Sequence, residues 1–182
     1  DNRGDSWKAV SPDLTRQIDR TKLKMMDRVW GVDAVAHNAS TTLFGTIVNI
    51  GESPIKEGLL VIGTDDGRIS VSEDGGATWR HTDHFPGVPD TSYVSHVVPS
   101  RTDVNTIYAT FQNYQSGDFK PYVVKTTDLG RTWTNISGNL PARGSTWAIA
   151  EDHVDRNLLF VGTEFGLFFT NDGGKKWIAL KG

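Results

Sequence analysis

The 182-residue sequence contains no cysteine and no long hydrophobic run. Without thiols, the chain can form neither a disulfide framework nor a thiolate metal site. The longest apolar stretches, residues 59–62 and 158–161, are far too short to span a bilayer. A signal peptide is also missing in front of Asp1, so we expect a section of a longer chain whose targeting signal, if there is one, lies elsewhere.

The sequence also lacks an excess of charge of either sign. It has 19 Lys and Arg residues against 22 Asp and Glu residues, which gives a net charge of −3. This balance excludes the basic surface that is typical of nucleic-acid-binding proteins and of proteins held on anionic membranes. We therefore expect neither a nucleic-acid partner nor a membrane partner.

Glycine and tryptophan, in contrast, are plentiful, with 19 and 6 copies, and they recur in one pattern. Three segments share the pattern hydroxyl-x-Asp-x-Gly-x-x-Trp, and a truncated copy ends at Trp7. The first full copy contains Ser72, Asp74, Gly76 and Trp79, the second Thr126, Asp128, Gly130 and Trp133, and the third Thr170, Asp172, Gly174 and Trp177. We call these three segments the boxes. Their regular recurrence predicts a repeat protein.

Each box follows three β-rich runs and is followed by a fourth run that starts at the tryptophan. One such unit occupies roughly 50 residues, which is typical of a propeller blade. Since one four-stranded sheet cannot bury both of its faces alone, neighbouring units must stack. The sequence therefore predicts an all-β fold with about three four-stranded antiparallel blades of a β-propeller, a fragment of a larger ring.

The residue types in the boxes suit a tight turn. The Asp carboxylate can accept hydrogen bonds from backbone N–H groups two residues on, and the Gly reaches a positive φ at little cost. The Trp offers a large apolar face and an N–H that requires an acceptor. We therefore interpret the boxes as structural staples between the third and fourth strands of each unit.

These residues resemble the Asp-box (BNR) repeat family, whose box reads Ser/Thr-x-Asp-x-Gly-x-Thr-Trp. The resemblance covers nearly all of residues 41–182. Residues 63–67, 118–122 and 162–166 are most similar to the sortilin-type propeller of large bacterial secreted proteins that are often labelled glycosyl hydrolases. The resemblance implies a propeller in the longer protein and a secreted, periplasmic or cell-surface location in a bacterium.

The repeat divides the chain into five parts. We expect the end of a preceding blade, an insertion or linker, and three blades, the last with an incomplete fourth strand. These parts are residues 1–13, 14–40, 41–90, 91–143 and 144–182.

The first two parts carry further expectations. Residues 7–10 are predicted to form the outer strand of the preceding blade. Leu14, Ile18, Met25 and Val29 fall at helical spacings after Ser11-Pro12, which favours a short helix in the insertion, although a solvated connecting segment is the alternative.

Catalysis would require a pair of carboxyl groups placed for glycoside hydrolysis. The only candidates are Glu52, Glu151 and Asp152, at the ends of the predicted inner strands. Sialidases carry the same boxes, but here no three arginines occupy the matching inner-strand positions of a carboxylate clamp. A calcium loop is excluded as well, because counting from Asp65 the twelfth residue is Gly76 instead of Glu. We therefore expect no catalytic residue, no metal and no cofactor.

Binding residues are expected on the predicted link between the second and third strands of the second blade, residues 112–120. This link carries Tyr114, Asp118 and Phe119, and it shares a face with Arg143. Aromatic and arginine side chains on loops held by a rigid scaffold suit a protein or carbohydrate partner. The alternative is that Phe119 and Tyr122 anchor the loop on its own blade.

The sequence thus favours a non-catalytic recognition or structural module of a larger secreted propeller protein. The alternative is a part of a glycoside hydrolase whose active centre needs further blades. Three blades leave sheet faces open, so we also expect the chain to bury them by self-association or with its own N-terminal segment.

Overall fold

The computed structural model of the chain describes residues 4–24, 27–31, 34 and 44–181. Over these ranges, twelve strands form three four-stranded sheets, in each of which consecutive strands pair antiparallel. The prediction of an all-β fold with three four-stranded antiparallel sheets is confirmed.

The strands of each sheet follow one another in the chain. Sheet 1 contains β1 (Ile47–Glu52), β2 (Leu60–Thr64), β3 (Ile69–Ser72) and β4 (Arg80–Thr82). Sheet 2 contains β5 (Tyr93–Pro99), β6 (Ile107–Asn113), β7 (Asp118–Thr126) and β8 (Thr134–Asn135). Sheet 3 contains β9 (Thr146–Glu151), β10 (Leu159–Thr163), β11 (Gly166–Thr170) and β12 (Ile178–Ala179).

The three sheets stack face to face, and the core lies in the two interfaces between them. Alternate residues of each strand point to opposite sides of its sheet, so each inner sheet face contributes one set of apolar side chains. The residues shared by the first interface include Val61, Ile69, Val71, Val94, Ile107, Phe111 and Val124. Those of the second include Tyr108, Val123, Ile149, Leu159, Val161 and Trp177.

Sheet 1 approaches sheet 2 closely at Gly63. A Cβ atom on this residue would lie 2.4 Å from Val94 Cγ1, a distance at which the two sheets could not keep their spacing. Ile69 is paired with Gly63 across the strands and is only 1% exposed. The absence of a side chain at Gly63 therefore lets the second sheet pack directly on the first.

Sheet 3 has the same arrangement on its corresponding side, but that side is uncovered. Gly162 is paired with Leu167 as Gly63 is paired with Ile69. A Cβ atom on Gly162 would meet nothing among the described residues within 4 Å, and Leu167 is 39% exposed. We call this side the open face; the other residues on it include Ala148, Ala150, Phe160, Phe169 and Ile178.

The helix predicted after Ser11-Pro12 is wrong over the part of the insertion that the structure describes. Residues 20–22 form a single 3₁₀ turn, and Gln17 has a left-handed backbone with φ of 52°. Two Asx-type turns explain the difference, because Asp13 accepts a hydrogen bond from the Thr15 N–H and Asp19 one from the Thr21 N–H. Met25 lies outside the described residues.

Residues 7–10, expected as an outer strand, pair with no strand of the described sheets, and Trp7 is almost fully exposed. Their course nevertheless matches that of the repeat. Val10 lies against Gly76 of the first box as Ile136 lies against Gly174 of the third box. The assignment of residues 1–13 to a preceding blade stays a prediction.

The segment that follows is tied to sheet 1 by hydrogen bonds. The Arg16 N–H donates to Asp66 Oδ2 at 2.7 Å, and its guanidinium donates to Asp90 Oδ1 at 2.7 Å. Arg68 Nη1 in turn donates to the Thr15 carbonyl oxygen at 2.8 Å. Residues 14–16 are therefore anchored to sheet 1 without a helix.

Candidate functional site

The sheets have two chemically different ends. At the box end, the boxes close the turns between the third and fourth strands. At the link end, the second and third strands are joined by residues 65–68 in sheet 1, 114–117 in sheet 2 and 164–165 in sheet 3. The inner strands β1, β5 and β9 begin at the link end, so side chains at their first residues meet the links.

Hydrogen bonds inside each box hold the box end together. Asp74 accepts hydrogen bonds from the Thr78 N–H at 2.8 Å and from the Thr78 hydroxyl at 2.6 Å, and Asp128 accepts the same pair from Thr132. The donors lie four residues on, instead of the two that we expected. These hydrogen bonds lower the pKa of both Asp74 and Asp128 to about 2.

The leading hydroxyl of each box completes the turn, and a backbone hydrogen bond links the turn to the rest of the sheet. Ser72 Oγ accepts the Gly76 N–H at 2.8 Å, while the Gly75 N–H donates to the Gly58 carbonyl oxygen at 2.9 Å. Gly58 lies between the first and second strands, so the box joins that connection to the turn between the third and fourth. The other two boxes make the same tie, Leu129 to Asn105 and Gly173 to Asn157.

At the link end, a cleft of about 630 Å³ lies between sheets 1 and 2 and residues of the N-terminal segment. Three aromatic residues line it, Phe44, Tyr93 and Tyr114, with Gln112 on β6. The remaining lining residues are Leu23, Lys24, Thr46, Val48, Asp65, Thr91, Asn113, Gln115 and Ser116. The cleft is thus built from five segments of the sequence, around residues 24, 46, 65, 92 and 114.

An aromatic pair stands beside this cleft. The ring centroids of Tyr114 and Trp147 are 6.0 Å apart, with an angle of 40° between the ring planes. The two residues are 40% and 46% exposed, and they come from the short β6–β7 link and from β9. Adjacent sheets therefore hold the two rings next to each other at the surface.

The link that carries Tyr114 is shorter than predicted. The strands β6 and β7 extend into residues 112–120 and leave only residues 114–117 between them, with Gly117 in a left-handed conformation at φ of 77°. Asp118 therefore lies in a strand, where it accepts a hydrogen bond from the Tyr122 hydroxyl at 2.5 Å. Although partial burial opposes ionisation of Asp118, the hydrogen bonds from Tyr122 and the Lys120 N–H lower its pKa. Asp118 thus anchors the hairpin.

Phe119 and Arg143 meet on the same end of the molecule but outside the cleft. The Arg143 guanidinium carbon lies 5.4 Å from the centroid of the Phe119 ring, within cation–π distance. The Gly144 N–H donates to the Phe119 carbonyl oxygen at 2.8 Å and joins sheet 3 to β7. Of the four predicted binding residues, only Tyr114 lines the cleft.

Sequence reasoning did not single out Tyr93, Gln112 and Trp147. Trp147 could have been found, because it lies in a β-rich run outside the boxes, which contain three of the six tryptophans. Gln112 carries no such signal. It is only 5% exposed, and its Oε1 atom has no hydrogen-bond partner among the described residues.

The candidate catalytic residues lie away from the cleft. Glu52 and Glu151 end β1 and β9, and Asp152 follows directly, whereas the cleft meets the beginnings of the inner strands. Glu151 is buried and accepts hydrogen bonds from the Ser100 hydroxyl at 2.8 and 2.9 Å and from the Arg101 N–H at 2.6 Å.

Asp152 is likewise engaged in local structure. Its Oδ1 accepts the Val154 N–H at 2.8 Å and the Asp155 N–H at 2.9 Å, and these hydrogen bonds lower its pKa. Both acids therefore have structural roles. Glu151 joins sheet 3 to sheet 2, and Asp152 stabilises a turn.

In the described part of the chain, no group of three or more His, Asp or Glu side chains could hold a metal ion. The same residues contain no helix with the length and apolar character needed to cross a membrane.

Comparisons with known proteins match at the level of structure only. No family model matches the sequence, and neither does any curated protein. The chain superimposes on an ancestral GH74 enzyme with a TM-score of 0.60 and 15% identity, covering 78% of this chain and 19% of that one. For YCF48 bound to D1 peptide, the TM-score is 0.57 and the identity 20%, over 74% of this chain and 40% of that one.

A third match is the β-propeller domain of Cps50 (Swd1) from Myceliophteria thermophila, with a TM-score of 0.54 and 14% identity over 74% of this chain and 42% of that one. The chain folds as part of a β-propeller. The solved propellers include glycoside hydrolases as well as proteins of other kinds, and this chain spans between 19% and 42% of the three described here. At these identities the likeness establishes the fold alone, and the three sheets correspond to blades.

Proposed function

We propose that this chain is a non-catalytic recognition module of a larger, secreted β-propeller protein. The observation that carries the proposal is the exposed Tyr114–Trp147 pair, which two adjacent sheets hold beside a cleft. Partly exposed aromatic rings on a rigid scaffold lose little conformational entropy on binding and are common anchors of interfaces. The secreted location follows from the resemblance to Asp-box proteins.

The carboxyl groups of the candidate catalytic residues in this chain do not support catalysis. A general acid needs a raised pKa, whereas a carboxylate that accepts several hydrogen bonds is stabilised as the anion. Asp152 is of the second kind, because its hydrogen bonds lower its pKa, and neither Asp152 nor Glu151 lies at the cleft. Catalysis would require acids from other blades of the longer protein, as in the alternative of a glycoside hydrolase.

The membership in a larger propeller is supported by the open face of sheet 3. Gly162 leaves the same space there that Val94 fills beside Gly63. The occupant that fits this space is a further four-stranded sheet of the same protein, whose inner strand would place a branched side chain over Gly162. In isolation, the exposed apolar residues of the open face would favour self-association.

Sedimentation velocity of the isolated chain tests whether the open face is a contact surface for a further sheet. We expect concentration-dependent association that Leu167→Lys abolishes and that Val154→Lys leaves intact, because Val154 is exposed on a connection away from the open face. A wild-type chain that stays monomeric at every concentration would contradict the proposal.

Recognition is tested with two screens of the same chain. The immobilised chain is panned with a random-peptide phage library, and the labelled chain is applied to a glycan array. We expect binders whose signal is lost in the Tyr114→Ala, Trp147→Ala double variant. If neither screen yields a binder that depends on the pair, recognition through this surface is refuted. In parallel, release of reducing ends from the array saccharides that Glu52→Gln or Asp152→Asn abolishes would replace the proposal with glycoside hydrolysis.

A further inference from the structure

The cleft at the link end is lined mainly by uncharged polar and aromatic groups. Among the described residues, Lys24 and Asp65 are the only charged ones in its lining. Asp65 Oδ1 already accepts the Gly45 N–H at 2.9 Å and the Thr46 N–H at 2.7 Å, so it holds β1 in place. A lining of this kind matches a neutral ligand that both donates and accepts hydrogen bonds.

Gln112 is the most unusual group of the lining. A buried polar atom without a partner costs stability, so such atoms are rare in folded proteins unless something else satisfies them. The Gln112 Oε1 atom has no hydrogen-bond partner within the described part of the chain. Gln112 is also paired with Tyr93 across β5 and β6, so the amide stands next to an aromatic ring of the same cleft.

The aromatic residues supply the second half of the recognition chemistry. An aromatic face carries partial negative charge, which attracts the polarised C–H groups on the flat face of a sugar ring. Tyr114 is part of both the cleft lining and the pair with Trp147, so one ring surface continues into the other. Sugars combine such C–H faces with hydroxyl groups at the rim, which the amides and hydroxyls of Gln112, Asn113 and Thr91 can bind.

We propose that the cleft and the adjoining Tyr114–Trp147 pair bind a neutral oligosaccharide, with one sugar unit stacked on the aromatic pair and another reaching towards Gln112. This inference rests on the proposed function and specifies its ligand. The volume of about 630 Å³ lies within the range of small-molecule sites, which is roughly 300–1,000 Å³. A net charge of −3 and the near absence of basic groups in the lining disfavour an anionic saccharide.

Isothermal titration calorimetry with the whole chain tests the proposal. The probes are neutral hexasaccharides of the cellulose, xylan, mannan and chitin types, and a sialylated oligosaccharide represents charged sugars. We expect at least one neutral probe to bind, and Trp147→Ala to weaken it at least tenfold. Trp7→Ala is the matched control, since Trp7 is an exposed tryptophan outside the cleft; it is expected to leave the affinity unchanged.

A second variant separates a binding role of Gln112 from a structural one. In Gln112→Met the amide, whose Oε1 atom has no partner among the described residues, is replaced by an apolar side chain of similar size. We expect a Tm equal to or above that of the wild type together with at least tenfold weaker binding. Unchanged binding in this variant would overturn the role of Gln112.

The outcomes distinguish this inference from the proposed function. If no neutral hexasaccharide binds but phage-selected peptides bind and depend on Trp147, the saccharide assignment is refuted and recognition stands. Binding of the sialylated probe alone would also refute it. If no probe of either class depends on the pair, both proposals fail.

Discussion

Sheets 1 and 3 both carry a glycine paired with a branched apolar residue on the side that faces the next sheet, but only sheet 1 has a described neighbour there. Gly63 and Ile69 are enclosed by sheet 2, whereas Gly162 and Leu167 face outwards. A glycine in mid-strand has no intrinsic advantage, because it weakens a strand. The comparison teaches that Gly63 serves the packing of sheet 2 on sheet 1, and that sheet 3 carries a glycine at the same position without a described neighbour; sheet 2 packs on sheet 3 with the buried Thr110 at this position.

The largest expected difference concerns the apolar residue of each pair. Ile69→Ala removes a buried side chain from the first interface and should lower the free energy of unfolding by about 2–5 kcal/mol. Leu167→Ala, at the equivalent position of the open face, should change it by less than about 1 kcal/mol. Urea denaturation at equal m-values, at concentrations where the chain is monomeric, measures both, and equal losses in the two variants would show that Leu167 is enclosed within the chain itself.

Substitution of the two glycines should also destabilise sheet 1 more than sheet 3, but the difference in the free energy of unfolding should be smaller. Gly63→Ala places a methyl group against Val94, and such overpacking costs about 1–3 kcal/mol. Gly162→Ala meets open space and should be neutral or stabilise by up to about 1 kcal/mol, because alanine restricts the unfolded chain. Thermal unfolding of the two single variants measures both changes in stability. A destabilised Gly162→Ala would break the comparison.

The smallest effect is expected from the boxes. Thr78 and Thr132 donate hydrogen bonds that lower the pKa of Asp74 and Asp128 to about 2, from the usual 3.8. The stabilisation from these carboxylates is present above pH 4 and disappears as the pH falls towards 2, because protonation removes the acceptor.

In the third box, Lys176 stands where the other boxes have a threonine, so Asp172 receives no hydroxyl at this position. We expect Lys176→Thr to lower the pKa of Asp172 further and to extend its stabilising effect to lower pH. NMR titration of the Asp172 carboxyl carbon measures the shift. The reverse change, Thr78→Lys, should raise the pKa of Asp74, and an unchanged value would remove the hydroxyl from the explanation.

The fold could be predicted because it rests on local, repeated patterns. Alternation of apolar residues and the spacing of Asp, Gly and Trp in the boxes are visible in short windows, so the three sheets followed from the sequence. The helix after Ser11-Pro12 failed because Asp13 and Asp19 form turns with their own neighbours, which compete with helical hydrogen bonds.

The candidate site could be predicted only in part. Tyr114 was identified because it follows a strand in a longer link, but the cleft needs segments around residues 24, 46, 93 and 112 to meet. No local pattern reports such long-range proximity. The sequence predicts a longer link and therefore places Asp118 and Phe119 in a loop. In the structure β7 already begins at Asp118, where the hydrogen bond from Tyr122 holds the carboxylate.

The box ties have a consequence for how such a chain can vary. Each box joins all the connections at one end of its sheet, so an insertion there would break several hydrogen bonds at once. At the link end, Asp65 and Glu164 make single backbone ties of this kind, to Thr46 and Ser145, and the link has four residues in sheets 1 and 2 but only two in sheet 3. Sequence change can therefore accumulate at the link end, next to the cleft, while the box end preserves the spacing of the strands. New binding specificities can arise there without loss of the fold.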